Sequence, residues 1–416
     1  SLLISNISLF KFQISLLIFL GKLPVSHCNH VGFPPQFRAI RGKSHIFPVK
    51  FPVNREFRPE TSSLKTASTA TFPKFKIAST GSLARCRLPT AGCSALYRRH
   101  PCNLNEGLEM KIATMATGGI GGYLAVKLSQ AGHQIACVAR GAHLSAIQTQ
   151  GLKLNSPLGQ EVIRPWKVSE DPAEIGPVDA IIFGVKAAAL DQAAQKCRPM
   201  LGEHTVVIPF QNGVTATSDL MGILPNHHIA SGVALISTTI SEPGVITQTG
   251  NAARFLFAER DSVRSARITA LQAAFQQAGI AAPETKDITH DLWMKFVLFS
   301  AMSGITATAR CTVGDILASQ ALGRLFCQVM EETAMIGRAH GVPLKADCAD
   351  TLWLRVQDLP SQMRASTAID LEHGRPLESP WISGSVPKLA NQVGLQAPLN
   401  AALYALLKPY ENGVST

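Results

Sequence analysis

The feature that most constrains this chain is a glycine-rich turn between an apolar strand pattern and a helical one. The apolar segment Lys111–Met115 is followed by Ala116-Thr117-Gly118-Gly119-Ile120-Gly121-Gly122, and a second apolar segment, Gln134–Val138, completes a βαβ pattern. Such a turn lets a pyrophosphate approach the backbone at a helix N-terminus. We interpret it as a dinucleotide-binding turn, with a structural glycine cluster as the alternative. The residues expected to bind the cofactor here are Gly118, Gly119, Ile120 and Gly121.

The turn departs from the GxGxxG pattern at its first position, where Ala116 replaces glycine. If the turn needs a positive φ there, alanine adopts it only at a cost. The residues after the second strand indicate the cofactor. An acid there would bind the ribose 2′-hydroxyl of NAD, whereas Arg140 suits a 2′-phosphate. We therefore expect NADPH/NADP as cofactor, with a solvated surface arginine as the alternative.

Alternating short apolar runs and helical patterns continue to about residue 286, which is typical of a parallel sheet covered by helices. Segments 228–239 and 245–257 predict an antiparallel hairpin added at the edge of that sheet. From about Asp287 only helical periodicity remains. The expected fold is α/β, with a Rossmann-type, mostly parallel sheet domain over 110–286 and an all-helical C-terminal domain over 287–416, which would allow a homodimer.

The formal charge of +11 belongs to the first part of the chain. Residues 1–109 hold 15 Lys and Arg against 4 Asp and Glu, whereas residues 110–416 hold 24 of each. A neutral folded part argues against a nucleic-acid partner, because such a face needs clustered cations. Residues 1–109 also lack an apolar run of the length that spans a membrane, so no membrane partner is expected.

We interpret residues 1–109 as a disordered or non-native extension, such as translated upstream sequence, because Met110 directly precedes the first strand pattern. A transit peptide and a functional tail are the alternatives. The expected location is cytoplasmic, or organellar if the extension is a transit peptide. None of the nine cysteines forms a CxxC pair or a Cys/His set with zinc spacing, so no metal site is expected.

Two groups of residues in the helical part are candidates for a site. Lys295 is the one cation in an apolar run, so it either extends to solvent or lies in a cleft where desolvation lowers its pKa. In a cleft it is a candidate proton donor. Ser366, Asp370 and Glu378 belong to a polar stretch that is either a solvated loop or a set of helix ends converging on a cleft.

Several motifs, in this order and at these approximate spacings, resemble the 2-dehydropantoate 2-reductase (ketopantoate reductase) family over about residues 110–410. They are the glycine turn, Arg140-Gly141, Gly184-Val185-Lys186, Gln211-Asn212-Gly213, Leu292-Trp293-Met294-Lys295 and Gly374-Arg375-Pro376-Leu377-Glu378. The resemblance implies an NADPH-dependent reduction of a 2-oxo acid, 2-dehydropantoate to pantoate in pantothenate formation, with a small-molecule 2-oxo acid as substrate.

The resemblance also implies roles for individual residues. Lys295 would be the general acid that protonates the ketone oxygen. Glu378 would hold the substrate hydroxyl, and Ser366 would bind the substrate as well. Asn212 would lie beside both nicotinamide and substrate, and Lys186 would lie on the cofactor side.

The chain departs from the family where its members often carry asparagines. Phe299 and Ser303 occupy places one and two turns after Lys295, and Met363 occupies a third such place. A site that loses hydrogen-bond partners for a substrate hydroxyl discriminates against that substrate. Two alternatives therefore stay open: a reductase of a different 2-oxo acid, and a catalytically silent NADP-binding protein.

Overall fold

The computed structural model describes residues 109–413, which all fall within one compact unit of the chain. Its strands are β1 (Lys111–Met115), β2 (Gln134–Val138), β3 (Leu152–Ser156), β4 (Gly159–Ile163), β5 (Lys167–Ser169), β6 (Val178–Phe183), β7 (Leu201–Pro209), β8 (Ala230–Glu242) and β9 (Val245–Glu259). Its α-helices are α1 (Gly119–Gln130), α2 (Gly141–Gln150), α3 (Leu190–Lys196), α4 (Ala216–Met221), α5 (Ala266–Gln277), α6 (Ile288–Thr308), α7 (Val313–Ala318), α8 (Gln320–Ala339), α9 (Cys348–Val356), α10 (Ser366–Glu372), α11 (Ser385–Gln392) and α12 (Pro398–Leu407).

A five-stranded sheet in the order β5-β2-β1-β6-β7 forms the first layer of the α/β part, and every pairing in it is parallel. Its central strands β1 and β6 are mostly apolar and are buried on both faces except near their N-terminal ends. Helices α3 and α4 pack on one face, and α1 and α5 on the other. The predicted Rossmann-type parallel sheet is confirmed.

The prediction for the hairpin β8–β9 was wrong in its placement. The two strands pair antiparallel, but they belong to a second sheet in the order β4-β3-β9-β8. One isolated parallel bridge, Val207 to Ile229, joins this second sheet to the first within the described residues. The hairpin belongs to the second sheet because β9 pairs in parallel with β3, which pairs in turn with β4.

From α6 onward, the regular secondary structure of the described residues is all helical, as predicted. Asp287 precedes α6, and its carboxylate accepts a hydrogen bond from the backbone N–H of His290 at 2.9 Å, which caps the helix. Helix α6 lies at the centre of the helical layer and packs against α8, α10 and α12. Its first turn also contacts β8 and β9 through Ile288 and Leu292. This contact places α6 beside the α/β part.

Some expectations fall outside the described residues or are not decided by them. Residues 1–108 lie outside, so the interpretation of the extension and of the cellular location stays a prediction, as does the homodimer. None of the helices within 109–413 combines the length and hydropathy that crossing a bilayer requires. The five cysteines in this range are free, and burial raises the pKa of Cys137 to about 11.

Candidate functional site

The glycine turn forms the N-terminus of α1 and leaves several backbone N–H groups available. The first helical hydrogen bond runs from Gly122 N to Gly118 O at 2.7 Å, so the N–H groups of the first turn precede it. No side chain caps this end, and no acid lies in its first turn. Such a terminus fits an anion, because its N–H groups and its helix dipole both favour negative charge.

The glycines of the turn have different physical roles. A Cβ built on Gly118 would meet nothing within 4 Å, so this position lies against open space. A Cβ on Gly121 would lie 2.4 Å from Ala116 O, and one on Gly119 would lie 2.6 Å from Thr238 O. Gly119 and Gly121 therefore allow close packing, whereas Gly118 leaves the approach to the backbone free.

Ala116 does not strain the turn. Among the described residues other than glycine, only Ser262 and Arg310 have a positive φ. Alanine at this position therefore adopts an ordinary backbone conformation, and the concern raised by the missing first glycine does not apply.

Arg140 lies where the cofactor expectation needs it. It follows β2 and precedes α2 with extended backbone angles, φ −143° and ψ 162°. Its side chain is exposed and makes no hydrogen bond or ion pair with the described residues. A cation that is free of protein partners at the end of the second strand fits a phosphate on the ribose.

Lys295 lies in the first half of α6, where the helical part faces the turn after β7, and the region bounded by Lys295, Asn212 and Glu378 is called the cleft below. Its Nζ donates a hydrogen bond to Asn212 Oδ1 at 3.1 Å and lies 5.7 Å from the centre of the Phe299 ring. Burial lowers the pKa of Lys295 to about 8, although the carboxylate of Glu378 acts in the opposite direction. The amine therefore stays protonated at neutral pH and gives up its proton readily.

Asn212 reaches Lys295 because the turn after β7 packs tightly against the helical part. Gly213 has φ +94°, and a Cβ there would lie 2.7 Å from Trp381 O. Only glycine fits this close approach in a left-handed conformation. The Gln211-Asn212-Gly213 turn follows the carboxyl end of β7 and packs against the short helical turn Ser379–Trp381.

A cluster of charged side chains includes Glu378 of the same cleft. Lys186 Nζ lies 3.3 Å from Asp370 Oδ2 and 3.5 Å from Glu378 Oε2. Glu378 Oε1 also accepts a hydrogen bond from Ala187 N at 3.2 Å, and Arg375 pairs with Asp370 at 3.0 Å. Burial acts to lower the pKa of Lys186, but the two carboxylates outweigh it and raise that pKa.

The structure brings most of the predicted residues together, but not all of them. Lys186, Asn212, Lys295 and Glu378 meet at the cleft, whereas Ser366 is exposed at the start of α10. The pairing of Asp370 with Lys186 was not predicted. No side-chain motif indicates it, since the two residues are 184 positions apart.

The wall of the cleft beyond Lys295 is less polar than an asparagine-bearing helix would make it. Ser303 is fully buried, and its hydroxyl shares a hydrogen bond of 2.6 Å with Thr367 Oγ1. Met363 is 41% exposed. The helix face that carries Lys295 thus presents an aromatic ring and then a hydroxyl that already has a partner.

The chain is similar to known proteins along both of its parts. The family model "Ketopantoate reductase PanE/ApbA" matches residues 112–261, and the model of its C-terminal part matches 287–411. A 2-dehydropantoate 2-reductase of Mesorhizobium japonicum is 31% identical over 322 residues, covering 72% of this chain and 97% of that protein.

Solved structures share the fold. The PanE/ApbA family ketopantoate reductase of Ralstonia eutropha JMP134 is 27% identical with a TM-score of 0.67, covering 73% of this chain and 98% of that one. D-mandelate dehydrogenase, solved with NADH and anilino(oxo)acetate, has the same TM-score of 0.67 at 18% identity, covering 73% and 98%. The fold alone therefore does not determine the substrate. The matches along both parts of the chain show that it belongs to the ketopantoate reductase family of oxidoreductases.

Proposed function

We propose that this chain uses NADPH to reduce 2-dehydropantoate to (R)-pantoate. Pantoate is a precursor of pantothenate and coenzyme A. The observation that carries the proposal is the contact of Lys295 Nζ with Asn212 Oδ1 across the cleft. This contact supports the proposal because it sets the Lys295 ammonium, whose pKa is lowered by burial, beside the turn that follows β7. The features proposed to bind the dinucleotide, the N-terminus of α1 and Arg140, follow the carboxyl ends of β1 and β2 in the same sheet.

The residues of the chain suit the proton half of such a reaction. Asn212 Oδ1 accepts a hydrogen bond from one N–H of the Lys295 ammonium and so orients that group. The other two N–H groups stay available to a ketone oxygen. Bound NADPH would supply the hydride to the carbonyl carbon. The Lys295 proton would neutralise the charge that develops on the oxygen, leaving a hydroxy acid and a neutral amine.

The alkaline limb of the pH profile tests the proton donor. Because Lys295 must be protonated and its pKa is about 8, we expect kcat/KM to fall as the pH rises through about 8. Glu378 acts to raise that pKa, so Glu378→Gln should move the limb to lower pH. Initial rates from pH 6 to 10 with saturating NADPH measure both profiles. An alkaline limb at the same pH in Glu378→Gln would show that Glu378 does not raise the pKa of Lys295.

Arg140 tests the choice of cofactor. Arg140→Ala removes an exposed cation that has no partner among the described residues, so we expect the fold to be unaffected. The dissociation constant for NADPH should rise by about tenfold or more, as the loss of one charge-assisted hydrogen bond to phosphate implies. Fluorescence titration should show no change in the affinity for NADH. Equal losses for both cofactors would contradict an assignment of Arg140 to the 2′-phosphate.

A second candidate, the reduction of a 2-oxo acid without a hydroxyl, has its own supporting observation. The Phe299 ring beside Lys295 offers no hydrogen bond, and Ser303 already bonds Thr367. A site built to bind a hydroxyl rejects analogues that lack it by large factors, whereas an apolar site does not.

Two substrates that differ in one hydroxyl test the proposal directly. 2-Dehydropantoate and 3,3-dimethyl-2-oxobutanoate share the carbon skeleton, and only the first carries the hydroxyl. The proposed function predicts a clearly higher kcat/KM for 2-dehydropantoate. A higher value for the second compound would favour the alternative substrate class. NADPH binding without turnover of either would favour a silent NADP-binding protein.

A further inference from the structure

His143 lies in the first turn of α2 and connects two segments that are distant in sequence. Its Nε2 lies 2.8 Å from Thr117 O, in the glycine turn. Its Nδ1 accepts a hydrogen bond from Gly244 N at 2.9 Å, in the turn between β8 and β9. One imidazole thus connects the candidate phosphate-binding turn to the second sheet.

The two partners determine the protonation state of the ring. A backbone N–H only donates, so Nδ1 must be without a proton to accept from Gly244. A backbone carbonyl only accepts, so Nε2 must carry the proton that is donated to Thr117 O. His143 is therefore neutral, with its hydrogen on Nε2.

Both segments that the ring joins are also held by other contacts. Thr117 N donates to Val138 O at 2.8 Å, and the Thr117 hydroxyl donates to the same oxygen at 3.1 Å. Gly244 O accepts from Lys153 N at 2.9 Å. The N–H and the hydroxyl of Thr117 are thus held by Val138, whereas its carbonyl is held by the imidazole.

That carbonyl determines the direction of an amide on the proposed cofactor side. The peptide between Thr117 and Gly118 is planar and trans, so its C=O and its N–H point in opposite directions. The His143 N–H holds the C=O, which turns the Gly118 N–H away from α2. Gly118 is the glycine of the turn that lies against open space, where a pyrophosphate would approach.

We propose that His143 is a positioning residue of the cofactor site, which orients the Gly118 N–H toward the dinucleotide phosphate through its bond to Thr117 O. This inference rests on the proposed function, because it assumes that the turn binds NADPH. His143 itself does not touch the cofactor. Its bond to Gly244 fixes the tautomer that the bond to Thr117 requires.

Two substitutions separate the two hydrogen bonds. In His143→Gln the side-chain amide N–H occupies about the position of Nε2 and can still donate to Thr117 O. In His143→Asn the amide oxygen takes about the position of Nδ1 and accepts from Gly244, but no donor reaches Thr117. Gln148→Ala serves as the control, because it removes a side-chain hydrogen bond of the same helix, to Val168 O, away from the turn.

The affinity of the full chain for NADPH, measured by calorimetry, is the main readout. We expect the dissociation constant to rise by about tenfold in His143→Ala and His143→Asn, the equivalent of one hydrogen bond, and by less than about threefold in His143→Gln. The value for Gln148→Ala should equal that of the wild type. At saturating NADPH, kcat and the KM for the 2-oxo acid should be unchanged in all four variants.

A merely structural role would give a different pattern. It would lower the melting temperature of the Gln and Asn variants alike without separating their affinities for NADPH. Equal affinities in these two variants, or a weaker one in His143→Gln, would overturn the inference. Wild-type protein that fails to bind NADPH would overturn the proposed function as well, so the two failures are distinguishable.

Discussion

Lys295→Ala is expected to lower kcat by about 10²- to 10⁴-fold, the contribution of a positioned general acid. The affinity for NADPH should change little, because Lys295 belongs to α6 and bonds Asn212, whereas the glycine turn and Arg140 lie on other elements. Steady-state oxidation of NADPH at saturating 2-oxo acid measures the first quantity, and fluorescence titration measures the second.

Lys295→Arg and Lys388→Ala complete this test. Arginine keeps the positive charge but does not give up its proton in this pH range, so Lys295→Arg should be nearly as inactive as Lys295→Ala. Lys388 is an exposed lysine of α11, and Lys388→Ala should retain the wild-type rate. If Lys295→Arg kept most of the activity, the lysine would act through its charge and not as a proton donor.

The stability of the helical part is expected to depend on one buried carboxylate. Glu332 is buried in α8, and its carboxylate accepts hydrogen bonds from Leu399 N at 2.9 Å and from Asn400 N and Nδ2 at 2.8 Å each. These donors belong to the first turn of α12. Glu332→Ala would remove the acceptor of both backbone N–H groups and leave the buried Asn400 N–H without a partner, whereas Asn400 Nδ2 would keep its bond to Thr333 Oγ1. We therefore expect the free energy of unfolding to fall by about 3 kcal/mol.

The neighbouring Glu331 offers a matched control. It also lies on α8, but it is partly exposed and pairs with Arg338 at the surface. Surface ion pairs contribute about 0 to 1 kcal/mol, so Glu331→Ala should lower the free energy of unfolding by no more than that. Urea unfolding followed by circular dichroism compares the two variants. Equal losses in both would show that α12 does not depend on the buried carboxylate.

The parts of the fold that could be predicted are those with a local pattern. Strands β1, β2 and β6 are short and mostly apolar, α6 is long and apolar along most of its length, and α8 has a clear helical periodicity. The second sheet was missed because its order depends on a pairing between distant segments. Strand β3 pairs in parallel with β9 at Lys153 and Val245, and no local pattern indicates that partner. Short strands with mixed polarity, such as β4, give no clear periodicity either.

The candidate site was predictable to a similar extent. Lys295 stands out as a charge in an apolar helix, and Glu378 stands out in a polar stretch; the resemblance to a family added Asn212 and implied a role for Glu378. The contacts between side chains, such as Ser303 with Thr367 or His143 with Gly244, depend on how separate elements pack. Ala116 shows the converse case, since its expected strain depends on a backbone angle that the sequence does not reveal.

Transfer of deuterium from NADPH labelled at both C4 positions tests whether this chain reduces 2-dehydropantoate with NADPH. With the full chain and 2-dehydropantoate, we expect one deuterium at C2 of the pantoate formed, one NADP⁺ for each product molecule, and loss of both in Lys295→Ala. Mass spectrometry of the hydroxy acid measures the label. If NADPH bound tightly but transferred no deuterium to 2-dehydropantoate or to 3,3-dimethyl-2-oxobutanoate, the chain would not be a reductase of these 2-oxo acids.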